Sequence, residues 1–350
     1  MEPIRVLIVD DASAIRLLVS NALGAEPTVR VVGAAPNGQA ALRMFAQLAP
    51  DVVLLDVEMP VMGGLETLAA LRVADPRVPV IMFSSFTERG AAITVKALFL
   101  GASDYVAKPS ARVEADDLRG LLVPKIHALH HPAARARPAA PAPAPPADAG
   151  KAEALVIGAS TGGPAALATV LGGLGRPTVP VAVVQHMPPL FTKMLAETLT
   201  EKCGLPVREA RGGEFLEPGG VWIAPGDYHL QVARVFGRAT LRVHQGEREN
   251  GCRPSVDQLF ASAAAVYGRG ALAVVLTGIG QDGLAGCQEI RRCGGRVVAQ
   301  DEATSAVWGM PKAVADAALA EAVLPLEAIA RHLVRALPAR RDGGAALDRR

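Results

Sequence analysis

The sequence predicts an α/β protein of two domains, each built on a mainly parallel sheet with helices on both faces. In both halves of the 350 residues, short continuous apolar runs alternate with segments of helical spacing. That alternation is typical of parallel sheets buried on both sides. A stretch rich in Ala and Pro separates the halves. The chain is 50% hydrophobic and 20% charged, which is a composition of packed globular domains.

The N-terminal half contains five apolar, strand-like runs and therefore predicts a five-stranded parallel sheet. Segments with apolar residues at helical spacing connect these runs, as right-handed crossovers require. The predicted strands are 4–9, 29–34, 51–55, 78–83 and 104–107, and the predicted helices are 15–22, 39–48, 65–73 and 91–100.

The C-terminal half repeats the pattern with other lengths and predicts a doubly wound α/β domain. Three further runs, which are less continuous, predict a small antiparallel insertion. The predicted strands are 154–159, 181–184, 272–276 and 296–299; the helices are 164–174, 190–202, 256–267 and 284–292; the insertion comprises 221–224, 229–235 and 240–244.

Residues 132–149, PAARARPAAPAPAPPADA, predict a linker because prolines at this density remove backbone donors and exclude a helix. We expect domains at 1–125 and 152–337, a linker at 126–151, and a disordered tail at 338–350, which is polar and contains glycine.

No apolar run reaches the ~18–20 residues of a membrane span, and the N-terminus lacks a signal-peptide pattern. We therefore expect a cytoplasmic protein without membrane insertion.

The charge balance gives no sign of nucleic-acid binding. The formal net charge is +2, and we find neither a basic stripe nor a helix-turn-helix pattern. The four cysteines are Cys203, Cys252, Cys287 and Cys293, without a CxxC pair or a neighbouring histidine cluster. Buried or incidental thiols are the simplest interpretation of these residues in an unsecreted chain.

Polar residues follow the predicted strands of the N-terminal half, where ligand sites of parallel sheets lie. Asp10 and Asp11 follow the first strand, Asp56 the third, Ser84 the fourth and Lys108 the fifth. Each aspartate alone could be an ordinary helix cap or turn residue. Three converging carboxylates, however, repel one another unless a hard cation such as Mg²⁺ joins them. A carboxylate beside Mg²⁺ and a lysine can attack a phosphoryl group.

A second set of strand-end residues suggests nucleophilic catalysis. Ser160 lies in GASTG, which matches the GxSxG pattern of a strand-to-helix turn, while His186 and Asp282 each follow another predicted strand. Taken singly, Ser160 and Asp282 could be helix caps and His186 a structural histidine. The order Ser, His, Asp differs from that of α/β-hydrolases. The loop could also cradle a phosphate, but it lacks the P-loop lysine. His229 and His244 compete as bases, although both fall in the predicted insertion.

The N-terminal half, over residues 1–125, resembles the response-regulator receiver domain, a flavodoxin-like fold. The motifs are VDD (9–11), LLDVEMPVMGGLETL (54–68), FSS (83–85) and AKP (107–109). The resemblance implies that a histidine kinase phosphorylates Asp56 and that Ser84 and Lys108 contact the phosphoryl group. The groups implied to hold the Mg²⁺ for phosphorylation are Asp10, Asp11, Asp56 and the backbone carbonyl of Glu58.

The C-terminal half resembles the catalytic domain of chemotaxis protein-glutamate methylesterases. The motifs are GASTGG (158–163), QHMP (185–188), RPSVDQLF (253–260), LTGIGQDG (276–283) and AQDEATSAVWGMP (299–311). The resemblance implies that Ser160 is the nucleophile, His186 the general acid/base and Asp282 its orienting partner. Our candidate oxyanion donors are the backbone N–H groups of Thr161 and Ile279. Ester hydrolysis by these residues needs no metal.

The implied activity is hydrolysis of glutamate γ-methyl esters on methyl-accepting chemoreceptors, with release of methanol. Deamidation of receptor glutamines is a second activity of the family. The receiver would act as a phosphorylation-controlled gate over the catalytic face. Two alternatives remain at this point: a non-enzymatic response regulator that binds DNA or protein, and an adaptor that kept the fold without the activity.

Overall fold

The computed structural model describes residues 2–108, 115–130 and 150–339 and confirms the predicted fold class. A five-stranded sheet occupies the N-terminal part, and a seven-stranded sheet with a separate two-stranded hairpin occupies the C-terminal part. The predicted linker core, 131–149, and the tail from residue 340 lie outside the described residues. Within the described ranges, no helix combines the length and apolar character that crossing a bilayer requires.

The N-terminal sheet is parallel throughout, in the order β2-β1-β3-β4-β5. Its order reverses between β1 and β3, so Asp10, after β1, and Asp56, at the end of β3, face the same crevice. Its elements are β1 Ile4–Val9, α1 Ser13–Gly24, β2 Val29–Ala35, α2 Gly38–Leu48, β3 Val52–Asp56, α3 Gly64–Ala74, β4 Val80–Ser84, α4 Glu88–Phe99, β5 Asp104–Ala107 and α5 Ala115–Leu129.

The C-terminal sheet is also parallel, in the order β14-β13-β12-β6-β7-β9-β8. Its order reverses between β6 and β12, the strands that precede Ser160 and Asp282. Its elements are β6 Ala154–Ala159, α6 Gly163–Leu174, β7 Val181–Gln185, α7 Phe191–Cys203, β8 Val207–Glu209, β9 Val221–Ile223, β10 His229–Val235, β11 Arg238–His244, α8 Val256–Tyr267, β12 Ala271–Val275, α9 Leu284–Arg292, β13 Arg296–Gln300, α10 Met310–Asp316, β14 Ala322–Leu324 and α11 Leu326–Ala336.

Two sequence predictions need correction. The run at 221–224 does not join an antiparallel insertion, because β9 pairs in parallel with β7 and β8 in the main sheet; only β10 and β11 form the antiparallel hairpin. The linker was predicted to begin at 126, but α5 continues to Leu129 because Ile126 is fully buried in the N-terminal core.

The two parts contact each other through α4 and β5 on one side and α6 and α7 on the other. The Tyr105 ring stacks on Phe191, with ring centroids 4.7 Å apart and planes 16° from parallel. The Thr161 hydroxyl donates a 2.6 Å hydrogen bond to the Asp104 carboxylate. The N-terminal part therefore touches the residue directly after Ser160.

A buried ion pair joins β13 to the segment before β14. The Arg296 guanidinium donates to both carboxylate oxygens of Glu321, at 2.8–3.1 Å, and both side chains are less than a tenth exposed. Burial alone would raise the pKa of Glu321, but hydrogen bonds from His332 and Arg296 outweigh it and lower the pKa to about 2.

We expect Glu321→Ala to lower the free energy of unfolding by about 3–5 kcal/mol, because it leaves Arg296 charged, buried and unpaired. Glu289→Ala, which breaks an exposed pair with Arg292, should cost at most about 1 kcal/mol. Both tryptophans, Trp222 and Trp308, lie in the C-terminal part, so denaturant unfolding followed by tryptophan fluorescence measures the change. Equal losses in the two variants would contradict the prediction.

The pKa of Glu321 also sets a pH window. Because folding lowers this pKa from 4.5 to about 2, the stabilisation by the pair is complete above pH ~4.5 and is lost as the pH falls toward 2.

Candidate active site

Ser160 lies in a tight turn between β6 and α6. The serine N–H donates to Thr277 O, and its carbonyl accepts from the Gly163 N–H and from the Gln185 side chain. Gly162 has φ +78°, and a Cβ there would lie 2.5 Å from the Ala306 Cβ. The turn therefore requires glycine at this position, and it holds the half-buried Ser160 at the carboxyl end of the sheet.

The loop after β12 passes directly against Ser160. A Cβ added at Gly278 would lie 2.7 Å from the Ser160 Cβ, so the backbone approaches the serine as closely as glycine allows. The N–H groups of Thr161 and Ile279 donate no hydrogen bond to any described residue. Because buried backbone donors are nearly always paired, the free Thr161 N–H in a residue only 3% exposed suits an oxyanion.

Asp282 is a buried carboxylate fixed by the N-terminus of α8. It accepts hydrogen bonds from the Ser255 hydroxyl at 2.9 Å, the Val256 N–H at 2.7 Å and the Asp257 N–H at 3.2 Å. Burial alone would raise the pKa of Asp282, but its hydrogen bond from His186 and these donors lower it. A negative charge at a helix N-terminus is also favoured by the helix dipole.

His186 links Asp282 to the catalytic crevice. Its Nε2–H donates to Asp282 Oδ2 at 2.8 Å, while its Nδ1 lies 3.8 Å from Cys252 Sγ. Burial alone would lower the pKa of His186, but Asp282 and Cys252 outweigh it and raise the pKa to about 9. Within the part of the chain that the structure describes, Ser160 Oγ makes no hydrogen bond to the His186 ring. The structure thus forms the His–Asp pair and places Ser160 on the neighbouring strand end, with β6 and β7 paired up to Ala159 and Gln185.

The simpler interpretations of Ser160 and Asp282 as helix caps are wrong. Gly162 occupies the N-cap of α6 and Gly283 that of α9, and neither Ser160 nor Asp282 caps the helix that follows it. The α9 donors are instead met by Asp257 on α8, whose carboxylate accepts the N–H groups of Gly283 and Gly286.

Sequence reasoning assigned no role to the residues that surround Asp282. Ser255 and Asp257 lie inside RPSVDQLF, one of the motifs on which the resemblance rests. The signal that could have indicated Ser255 is its position just before a predicted helix, where serine is a common cap. Asn250, whose amide bridges Asp257 and Asp282, and Cys252 lie on a loop whose sequence has no periodic pattern. They reach the site only through the tertiary fold.

The predicted acid cluster of the N-terminal sheet also forms. Ligand oxygens of Asp10, Asp11 and Asp56 lie within 4.8 Å of one another. Lys108 Nζ contacts Asp10 Oδ2 at 2.7 Å and Asp56 Oδ2 at 2.8 Å. Burial, opposed by Lys108 and reinforced by the charge of Asp10, raises the pKa of Asp56 to about 6.

These residues fit a Mg²⁺ ion. Crowded carboxylates with a raised Asp56 pKa are the electrostatic signature of a site that a hard cation relieves. The Glu58 carboxylate pairs with Arg89 at 2.9 Å, and the Glu58 N–H donates to Asp56 Oδ1 at 3.3 Å, which keeps this residue next to the cluster. Ser84 is fully buried at the end of β4, and its carbonyl accepts the Lys108 N–H, so the fold holds both residues beside the cluster.

Both halves of the chain match known protein families. Residues 155–333 match the family model of the CheB methylesterase, and residues 6–118 match that of the response regulator receiver domain. The crystal structure of the Thermotoga maritima CheB methylesterase catalytic domain is 41% identical, with a TM-score of 0.52, and the match covers 53% of this chain and 98% of that one.

Curated relatives match over nearly the whole length. A protein-glutamate methylesterase/protein-glutamine glutaminase of Nocardioides sp. is 50% identical over 97% of both chains, and one of Caulobacter vibrioides is 49% identical over 94% of this chain and 97% of its own. The chain therefore belongs to the CheB methylesterase family, with a receiver domain preceding the catalytic domain. It is a carboxylic ester hydrolase, and the adaptor alternative is not favoured.

The raised pKa of His186 predicts alkaline-dependent hydrolysis. With a pKa of about 9, the ring is mostly protonated at pH 7, and only its neutral form can accept a proton. We expect kcat/KM for a glutamyl methyl ester to rise about tenfold per pH unit between pH 6 and 8 and to level off near pH 9. A rate profile at low substrate concentration measures this, and a plateau already at pH 6.5 would contradict it.

Proposed function

We propose that the chain hydrolyses glutamate γ-methyl esters on chemoreceptors, releases methanol, and does so under control of receiver phosphorylation. The observation that carries the proposal is the His186–Asp282 pair beside Ser160, with free N–H groups of Thr161 and Ile279 at the same strand ends. These parts supply the base, its orienting carboxylate, the nucleophile and the oxyanion donors of acyl transfer.

In the proposed reaction, the Ser160 hydroxyl attacks the ester carbonyl while His186 takes its proton. The negative charge that develops on the carbonyl oxygen is stabilised by the N–H groups of Thr161 and Ile279, and each such donor is typically worth ~10²–10³ in rate. His186 then protonates the departing methanol, and water hydrolyses the acyl-enzyme by the reverse sequence. With a glutamine substrate, ammonia leaves instead, and the result is deamidation.

The hydrogen bonds of His186 indicate which ring nitrogen exchanges the proton with Ser160. Asp282 holds Nε2, so Nδ1 is the nitrogen that accepts the Ser160 proton. In this structure Nδ1 faces Cys252, so in the proposed reaction Nδ1 has to exchange this contact for one with the Ser160 hydroxyl when substrate binds. Catalytic hydrogen bonds often tighten only in the substrate complex.

In the receiver, we propose that Asp56 accepts a phosphoryl group from a histidine kinase. Asp10, Asp11, Asp56 and the Glu58 carbonyl would hold Mg²⁺, which neutralises phosphoryl charge. Lys108, already in contact with Asp10 and Asp56, and Ser84 would contact the phosphoryl oxygens. We assign the reaction to the cytoplasm, where the thiols stay reduced.

The contact between receiver and catalytic domain provides the gate. The Thr161 hydroxyl donates to Asp104 on β5, and Tyr105 on the same strand stacks on Phe191 at the start of α7. Lys108 follows that strand directly. A phosphoryl group at Asp56 that draws Lys108 would therefore act on the strand that holds the turn beside Ser160.

We expect Ser160→Ala to reduce methanol release from methylated receptor membranes by at least ~10³-fold, because it removes the nucleophile. Wild type should be stimulated severalfold by a small phosphodonor with Mg²⁺, and Asp56→Asn should retain basal release without stimulation. A Ser160→Ala protein that is folded and active would overturn the assignment of the nucleophile. Stimulation that survives in Asp56→Asn would overturn the gate.

A second test addresses the interface itself. Asp104→Ala removes the acceptor of the Thr161 hydroxyl, so the unphosphorylated enzyme should become severalfold more active and respond less to the phosphodonor. Lys125→Ala is the matched control, since it removes the ion pair that Asp104 also makes with α5 and leaves the acceptor of the Thr161 hydroxyl in place. If basal release is the same in both variants, the Asp104–Thr161 contact does not restrain the enzyme.

A further inference from the structure

His186 and Cys252 are placed as two of the four ligands of a tetrahedral transition-metal site would be. Cys252 Sγ lies 3.8 Å from His186 Nδ1, and one ligand atom each of His186, Cys252 and Asp282 lies within 4.8 Å of the others. With zinc–sulfur and zinc–nitrogen bonds of about 2.3 and 2.0 Å, a tetrahedral zinc ion holds these two atoms about 3.5 Å apart. The existing separation needs to close by only a few tenths of an ångström.

The hydrogen bond from His186 Nε2 to Asp282 completes this resemblance to a metal site. Metal-binding histidines nearly always donate their second ring N–H to a carboxylate, which fixes the ring and strengthens the other nitrogen as a ligand. Asp282 does this here from a buried position held by α8. The ring nitrogen that Asp282 does not contact, Nδ1, is the one that faces the thiol.

The pair is accessible from a cavity. A cavity of about 480 Å³ is lined by His186, Cys252 and Pro188, and it leaves room for water or an exogenous ligand in the remaining coordination positions. Across the described ranges, two groups of at least three His, Cys, Asp or Glu side chains bring their ligand atoms within 4.8 Å of one another, and the other is the all-carboxylate cluster of the receiver. The two clusters differ in chemistry, because thiolate and imidazole select Zn²⁺ and carboxylates suit Mg²⁺.

We propose that His186 and Cys252 form an inhibitory site for a thiophilic divalent cation, represented by Zn²⁺. The thiolate of Cys252 and the Nδ1 lone pair of His186 become ligands, and the protons they held pass to water. Because Nδ1 then cannot accept a proton from Ser160, hydrolysis stops. The inhibition rests on the proposed role of His186, whereas the binding does not.

Binding is tested on the full-length protein with excess Mg²⁺ to occupy the receiver cluster. Co²⁺ is titrated as the probe, its thiolate-to-metal charge-transfer absorption is recorded, and Zn²⁺ is used to displace it. We expect one site per chain, with Cys252→Ala losing the charge-transfer band and at least tenfold in Zn²⁺ affinity. Cys203→Ala is the control, because it removes a half-buried thiol on α7 that donates a hydrogen bond to Ala168 O. This variant should keep the charge-transfer band and the Zn²⁺ affinity. If Cys252→Ala keeps the charge-transfer band or the wild-type Zn²⁺ affinity, the proposed metal site is wrong.

Inhibition is tested separately by methanol release, with each variant compared with its own zinc-free rate. Zn²⁺ should inhibit wild type with a midpoint equal to the dissociation constant from the binding assay, a chelator should reverse it, and Cys252→Ala should need at least tenfold more Zn²⁺. If Zn²⁺ binds but release continues, the inhibitory role is wrong. If even zinc-free wild type releases no methanol, the esterase assignment fails while the binding assay still decides the metal site.

Discussion

The proposed catalytic site depends on one buried charge, the carboxylate of Asp282. A carboxylate that is only 2% exposed is too costly to ionise unless donors surround it. The N-terminus of α8 supplies those donors through Ser255, Val256 and Asp257. Because these donors fix the carboxylate, its hydrogen bond with Nε2 holds that side of the His186 ring. The orientation of the base is thus a consequence of how α8 packs against the loop after β12.

The same constraint explains why two neighbouring carboxylates have opposite properties. The Asp257 side chain is also buried and lies near Asp282, and burial together with that neighbour raises the pKa of Asp257. Asp282 faces the cationic form of His186, and its pKa is lowered. Asp257 instead ties α8 to α9 by accepting the N–H groups of Gly283 and Gly286. One carboxylate therefore orients His186, while the other stabilises the packing of the two helices.

Most of the fold was predictable because buried parallel strands are continuous apolar runs whose ends gather polar residues. Asp10, Asp56, Ser160 and His186 all follow from that rule. Short elements were not predictable. The three-residue strands β8 and β14 are too brief to show a period, and β9 was misassigned because its pairing with β7 is set by tertiary contact. No helix was predicted at α5, although its buried Leu118, Leu122 and Ile126 recur at helical spacing; Pro124, which lies inside this helix, is a residue that argues against one.

Contacts between distant parts of the chain are the other feature that the sequence could not predict, and they are the contacts to which we assign regulation. Asp104 meets Thr161 from 57 positions away, and Cys252 meets His186 from 66. No local pattern encodes either pair. Both contact the proposed catalytic residues: Asp104 contacts the turn of the proposed oxyanion donor Thr161, and Cys252 contacts the nitrogen that we propose moves the proton. Because Ser160 chemistry needs that turn and that nitrogen free, any partner that holds one of them restrains hydrolysis without disturbing the His186–Asp282 pair.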